Sequence, residues 1–214
     1  MAVAVRGESR EKSLAREEYF GPGYFALPQL TSQAQQVHDI FSMRPESILE
    51  IGPGNGFVST FLRMAGFDVT TADINPALEP DICAPLAEIP AHLNGRRFDL
   101  VVCCEVLEHM PFEQFEANVR AMREIGDRLY MTLPNYKKAF GIGGFLRLPR
   151  ISRPIGWYLS VRQNRPLTDQ HFWEVGYRRE CSLAAVTSVL RRHYGKVSTE
   201  RYPLNAYHQA FFAE

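Results

Sequence analysis

The sequence predicts an α/β protein built on a doubly wound sheet, mostly parallel, with helices on both faces and an antiparallel C-terminal hairpin strand. Three observations carry this prediction. From Ser47 onward, strand-like and helix-like segments alternate, a rhythm that demands crossover connections and parallel pairing. Residues 98–104 are apolar almost throughout, as befits a strand covered on both faces. The last two strand-like segments, 196–202 and 206–213, are separated only by Pro203-Leu204-Asn205, close enough to pair antiparallel.

The elements follow in order. Residues 1–46 read as a charged, then aromatic and Gly/Pro-rich arm (Tyr19, Phe20, Tyr24, Phe25), leading to a helix that starts near Thr31 or Ser32, where polar caps are at hand. The strand 47–51 enters a Gly-rich turn, and the helix after it is closed by Gly66. A strand at 67–73, a short helical stretch and the apolar strand at 98–104 come next. Pro111 falls in the first turn of a further helix, whose Phe115, Val119 and Met122 recur at helical spacing and whose C-cap is Gly126. A strand at 128–133 follows. Residues 136–180 break the rhythm with glycines, prolines and both tryptophans, and read as an insertion in a single domain spanning 47–214. Alternation resumes with a helix near 182–193, capped by Gly195.

Composition excludes several classes. The chain has 214 residues, 24 basic and 24 acidic, so it is not a protein that coats nucleic acid by bulk charge, and DNA is an unlikely partner. At 45% hydrophobic residues it is not a disordered chain. Cys83, Cys103, Cys104 and Cys181 form no C-x-x-C pair and read as buried small hydrophobes in a reducing compartment. The N-terminus lacks the apolar core of a signal peptide, and no apolar run approaches a membrane span. The expected location is cytoplasmic, with room for peripheral contact at the inner membrane face. Histidines 38, 92, 109, 171, 193 and 208 show no metal-ligand spacing, so no metal site is expected.

The segment Glu50-Ile51-Gly52-Pro53-Gly54-Asn55-Gly56 runs from a strand into a helix, and its glycines let the backbone bend tightly against a ligand. Its third glycine arrives one residue too early for the dinucleotide fingerprint. The segment instead resembles the first motif of the class I S-adenosylmethionine-dependent methyltransferases, whose fold is Rossmann-like: an acidic residue, one apolar residue, then G-x-G-x-G. Further matches fall in order across residues 47–135. The resemblance implies that Glu50, Gly52, Gly54 and Gly56 cradle S-adenosyl-L-methionine. It also implies that Asp73, with Ile74 beside it, accepts both ribose hydroxyls. Asp81 and Ile82 resemble the adenine contact, although that Asp could equally serve its own turn. The stretch Glu105-Val106-Leu107-Glu108-His109 after the fourth strand resembles the small-molecule and lipid-directed branch of type 11-like enzymes, which sets Cys104 and Glu105 beside the methionine moiety. Asp99, at the other end of that strand, reads as structural.

An oxygen acceptor benefits from a base. His109 is the first candidate and His171 the second, with helix-cap, core or loop roles as the alternatives. The insertion 136–180 holds nine basic and three acidic residues interleaved with aromatics and aliphatics. As a mobile lid it suits a small-molecule or lipid-like acceptor bearing an anion, and residues 137–165 could also lie on an anionic membrane surface. An RNA acceptor, a catalytically silent cofactor-fold subunit, and a solvated loop that merely packs its aromatics remain the alternatives.

Overall fold

The computed structural model describes residues 7–161 and 163–214. In chain order its elements are α1 (Glu8–Glu11), α2 (Leu27–Met43), β1 (Ser47–Ile51), α3 (Phe57–Met64), β2 (Asp68–Asp73), β3 (Ile82–Cys83) and α4 (Ile89–His92). There follow β4 (Phe98–Cys104), α5 (Phe115–Ile125), β5 (Gly126–Pro134), β6 (Lys138–Leu148), β7 (Ile151–Val161), α6 (Leu183–His193), β8 (Val197–Arg201) and β9 (His208–Ala213). Seven strands form one sheet in the order β3-β2-β1-β4-β5-β9-β8. The pairs among β1 to β5 are parallel, whereas β9 runs antiparallel to both β5 and β8. This is the expected doubly wound sheet with its antiparallel C-terminal hairpin.

Side-chain alternation along β4 builds both halves of the core. Leu100 and Val102 face Ile40 of α2 and Val58 and Leu62 of α3, while Val101 and Cys103 face Val119 and Met122 of α5 and Val186 and Leu190 of α6. Adjacent Cys103 and Cys104 therefore belong to opposite faces. All four cysteines are free thiols, and Cys83 is exposed rather than buried because β3 is a two-residue edge strand. Asp99 is structural: its carboxylate accepts from Arg128 at 2.7 and 3.1 Å and from the Glu46 amide at 2.9 Å.

Boundaries differ from expectation in two places. Helix α5 begins at Phe115, with Pro111 ahead of a 3-10 turn at Phe112–Gln114 rather than in the helix's first turn. Helix α2 begins at Leu27, not near Thr31 or Ser32, because Pro28 occupies its first turn, where a fixed φ helps and the missing N–H is not needed.

The insertion is more regular than its glycines and prolines suggest. Strands β6 and β7 pair in register from Lys138 opposite Val161 to Leu148 opposite Ile151 and form a separate two-stranded sheet. Register places Phe140, Ile142, Leu146 and Leu148 on one face with Ile151, Ile155, Trp157, Leu159 and Val161. All of these but Leu146 are exposed. The opposite face carries Gly141, Gly143, Gly156 and Tyr158. Tyr158 donates its hydroxyl to the Pro203 carbonyl, and a Cβ at Gly143 would run into that carbonyl, so glycine lets the hairpin seat on the β8–β9 loop.

Candidate active site

A cavity of about 530 Å³ opens at the C-terminal ends of β1, β2 and β4, where the strand order reverses. Its floor is the β1–α3 turn. Gly52 and Gly54 adopt positive φ (73° and 56°), and a Cβ at Gly52 would strike Val106. Glu50, six per cent exposed, reaches the cavity with one carboxylate oxygen unpartnered, and burial pushes its pKa up to about 7. Asp73 ends β2 and shares the wall with Ile74. Its carboxylate accepts the Asn75 amide at 2.7 Å, and burial raises its pKa to about 6.

The N-terminal arm closes the opposite side. Asn75, buried, donates to the Leu14 carbonyl at 2.9 Å and so ties the arm to the end of β2. Tyr19 and Tyr24 pack with tilted rings 5.7 Å apart between centres and approach Gly54, whereas Phe20 and Phe25 pair on the exposed side. Helix α2 contributes Gln29, Gln33 and Gln36, and Gln33 donates to Asn55 of the turn at 3.1 Å.

Beyond the turn, Cys104 and Glu105 follow β4 into the cavity wall. Glu105 holds a left-handed backbone (φ 56°), a strained state for a residue with a Cβ and one that clusters at functional sites. A one-turn helix then presents Glu108 and His109. The segment after the hairpin returns to the same place: Phe172 donates its amide to the Glu108 carbonyl at 2.8 Å, and the Trp173 indole donates to the Met110 carbonyl at 3.0 Å. His171 is thereby set edge-on to His109, with ring centres 5.2 Å apart. Burial holds His109 down at about pH 4, so its imidazole is neutral at physiological pH.

Glu50, Gly52, Gly54, Asp73, Ile74, Cys104, Glu105, His109 and His171 thus meet at one cavity. Gly56 does not line it; it caps α3 with φ 73°. Asp81 and Ile82 also stay outside. The Asp81 carboxylate is held by the Arg63 guanidinium and by Thr71, whose amide and hydroxyl donate at 2.7 and 2.9 Å, and Ile82 packs on the core. Ala84, Pro85 and Leu86 line the wall in their place. Sequence reading missed the glutamines of α2, whose 29, 33, 36 spacing marks one helix face. It also missed Tyr207 of the β8–β9 connection and His208 at the start of β9, which carry no local signal.

Six carboxylates (Glu11, Glu18, Glu50, Asp73, Glu105, Glu108) border the cavity against one arginine, Arg10. That chemistry receives cations and hydroxyl donors: an ammonium or sulfonium, and a vicinal diol at a carboxylate able to accept twice. Because carboxyl protonation removes the acceptor, ligand affinity should fall with pH. For S-adenosylhomocysteine, calorimetry from pH 8 to 5 should show affinity declining as Glu50 and then Asp73 protonate, by up to about tenfold per group per pH unit. A flat profile would contradict the roles given to both carboxylates.

Residues 28–133 match the family model of a methyltransferase domain. A ubiquinone biosynthesis O-methyltransferase of Rickettsia bellii is 32% identical over 135 residues, covering 56% of this chain and 52% of that protein. Its counterpart in Rickettsia conorii is 29% identical over 149 residues, 61% and 49% of the two chains. The chain thus spans about half the length of these curated relatives. Among solved structures, the magnesium protoporphyrin IX methyltransferase of Synechocystis, with S-adenosylmethionine bound, aligns over 100% of this chain and 99% of its own. The TM-score is 0.57 at 16% identity. An N-methyltransferase of Bradyrhizobium japonicum in complex with S-adenosylhomocysteine aligns over 97% and 96%, with TM-score 0.57 at 12% identity.

Proposed function

We propose that the chain, whose residues 28–133 match the family model of a methyltransferase domain, is a class I, S-adenosylmethionine-dependent enzyme that methylates a hydroxyl oxygen of a small-molecule acceptor. The convergence of Glu50, Asp73 and Glu105 around the open Gly52–Gly54 turn supports the cofactor half of this reading, and the similarity to O-methyltransferases supports the oxygen acceptor.

These residues fit S-adenosylmethionine. The unpartnered Glu50 oxygen suits the cationic amino-acid end, Asp73 suits the ribose diol, and Tyr19 with the Ala84–Leu86 wall offers an apolar slot for the base. When bound, that cofactor supplies an electrophilic methyl on sulfonium, and transfer leaves a neutral thioether. The protein's contribution is positioning and water exclusion, worth roughly 7–11 kcal/mol in favourable cases. The arm 7–26 covers the cavity from above. His109 and His171, the candidate bases, line the same cavity beside Glu105. As the O–CH3 bond forms and the C–S pair goes to sulfur, the hydroxyl proton must leave, and a neutral imidazole receives it.

The finer reading of the acceptor is lipid-like and anionic, handled by the β6–β7 hairpin at the inner membrane face of the cytoplasm. Between Lys138 and Val161 the sequence has four basic residues (Lys138, Arg147, Arg150, Arg153) and no acidic one, beside the exposed apolar face. The cavity itself is acidic, so the acceptor's anion belongs at the hairpin and its hydroxyl at the cavity. No described helix is long and apolar enough to cross a membrane.

A methyl-transfer assay with labelled S-adenosylmethionine against lipid, RNA and polar-metabolite fractions tests the proposal. Label is expected in a lipid or small-molecule fraction as a base-stable ether. Labelling confined to RNA, or micromolar binding of NAD with none of S-adenosylhomocysteine, would overturn it.

A further inference from the structure

We propose that Glu108, His109 and His171 bind a divalent first-row transition-metal ion at the acceptor end of the cavity. One ligand atom from each lies within 4.8 Å of the others, a spread that a single ion can draw together. The three come from two segments that the Phe172–Glu108 and Trp173–Met110 hydrogen bonds staple side by side.

A second observation points to a missing cation. Glu108 is completely buried, yet neither of its carboxylate oxygens has a hydrogen-bond partner. A buried carboxylate without a partner is costly, and a cation is the partner its surroundings leave room for. Glu105 Oε1 and His109 Nδ1 are likewise buried and unpartnered on the same cavity. Glu11 Oε1 lies 3.5 Å from His109 Nδ1 and Glu174 Oε1 3.1 Å from His171 Nδ1, and each of these carboxylates already has an arginine partner, Arg10 and Arg165, whereas Glu108 has none.

Glu174 supplies a third argument. It is fully buried, and Arg165 at 2.7 Å and the Tyr207 hydroxyl at 3.1 Å hold its two oxygens in place. The His171 Nδ1 contact fixes that imidazole's tautomer and leaves Nε2 free to ligate, the arrangement by which carboxylates orient metal-binding histidines. Two imidazoles and one carboxylate suit Mn2+, Fe2+, Co2+ or Zn2+ better than the all-oxygen shells of Ca2+ or Mg2+. Three protein ligands leave open positions for water and for an acceptor oxygen, which the ion would hold and polarise. With the ion bound the two imidazoles are ligands rather than bases, and the polarised hydroxyl would lose its proton to water. This role in turnover rests on the methyltransferase reading; the binding of the ion does not.

The test uses the full chain stripped with EDTA and titrated with Mn2+, followed by electron paramagnetic resonance. One ion per chain should bind. Glu108→Gln and His171→Ala should each weaken binding at least tenfold, and Glu174→Gln, which keeps all three ligands, should also weaken it roughly 10–100-fold. S-adenosylhomocysteine affinity, measured in parallel by calorimetry, should survive in all three and reports separately on the cofactor site. Absence of stoichiometric Mn2+ binding to the wild-type chain would overturn the inference, as would equal binding to Glu108→Gln and His171→Ala chains. Should a variant fail to fold, the wild-type titration decides alone.

Discussion

Replacing Asp73 by alanine should weaken S-adenosylhomocysteine binding by about 100-fold while leaving the unliganded protein at least as stable as wild type. The affinity loss follows from geometry. Asp73 ends β2 on the cavity wall, with one oxygen engaged by the Asn75 amide and the rest of the carboxylate directed to the cavity. Two hydrogen bonds from a ribose diol to a carboxylate, at about 1.5–3 kcal/mol each, set a loss near 3 kcal/mol, or roughly two orders of magnitude. The stability half follows from burial. Burial raises the folded-state pKa of Asp73 to about 6 from the ordinary 3.8, so the charged form is disfavoured in the empty site. A raised acid pKa means that the folded chain holds the proton more tightly than the unfolded one between those values. Stability therefore rises as pH falls from about 6 toward 4, and at pH 7.5 the buried charge is a net cost. Alanine removes that cost together with the Asn75 contact. Calorimetry and thermal unfolding at pH 7.5 read the two quantities independently. Unchanged affinity would remove Asp73 from the ribose role, and a steep fall in melting temperature would show that it mainly holds the β2 turn together.

How far the sequence disclosed this site depends on where each residue's partners lie along the chain. Glu50, the glycines, Asp73 and the segment 104–109 were legible because strand, turn and helix are contiguous there, and apolar patterning alone puts their ends at the same edge of the sheet. Asp81 shows the limit of such reasoning. Spacing places it correctly before β3, but Arg63 and Thr71 compete for its carboxylate, and those contacts depend on how α3 packs over β2. His109 and His171 were each legible as candidate bases, but that they meet at Glu108 was not, for the same reason. The two halves of the cluster are separated by the whole hairpin, so no ligand spacing exists to be read, and Glu174 behind them passes for an ordinary surface glutamate. The hairpin was obscured by its own glycines and prolines, which signal a loop when taken singly. Alternate positions told more: Phe140, Ile142, Leu146 and Leu148 fall on one face with Ile155, Trp157, Leu159 and Val161, and Gly143 and Gly156 sit where the other face meets Pro203.

That face yields the second large effect. The paired variant Ile142→Ser with Trp157→Ser should abolish binding to vesicles containing anionic phospholipid while S-adenosylhomocysteine affinity stays unchanged. Ile142 and Trp157 are cross-strand partners, 80% and 72% exposed, at the middle of the apolar face. Removing both deletes apolar area worth about 1.5–3 kcal/mol per side chain when buried in a bilayer interface, together some 100-fold or more in partitioning. Basic residues on the hairpin give the interaction a sign: Lys138 and Arg153 share the apolar face, Arg150 sits at the turn and Arg147 on the opposite face beside it. Lys138, Arg147, Arg150 and Arg153 lie along or at the turn of a hairpin that has no carboxylate of its own, and each cation near an anionic surface is worth about 1 kcal/mol. Arg147→Glu with Arg153→Glu should therefore weaken binding to anionic vesicles strongly and remove its sensitivity to salt, whereas neutral vesicles bind the wild-type chain poorly throughout. Neither pair touches the cavity, because the hairpin meets the main domain through Gly143, Gly156 and Tyr158 on its other face. Vesicle co-sedimentation measures the first quantity and calorimetry the second. Equal sedimentation of the wild-type and Ile142→Ser/Trp157→Ser chains would remove the hairpin from acceptor delivery and leave its apolar face to another partner. Loss of vesicle binding in the serine pair with cofactor affinity intact would make the hairpin a device for taking a lipid-like acceptor from its membrane to the carboxylate-lined cavity.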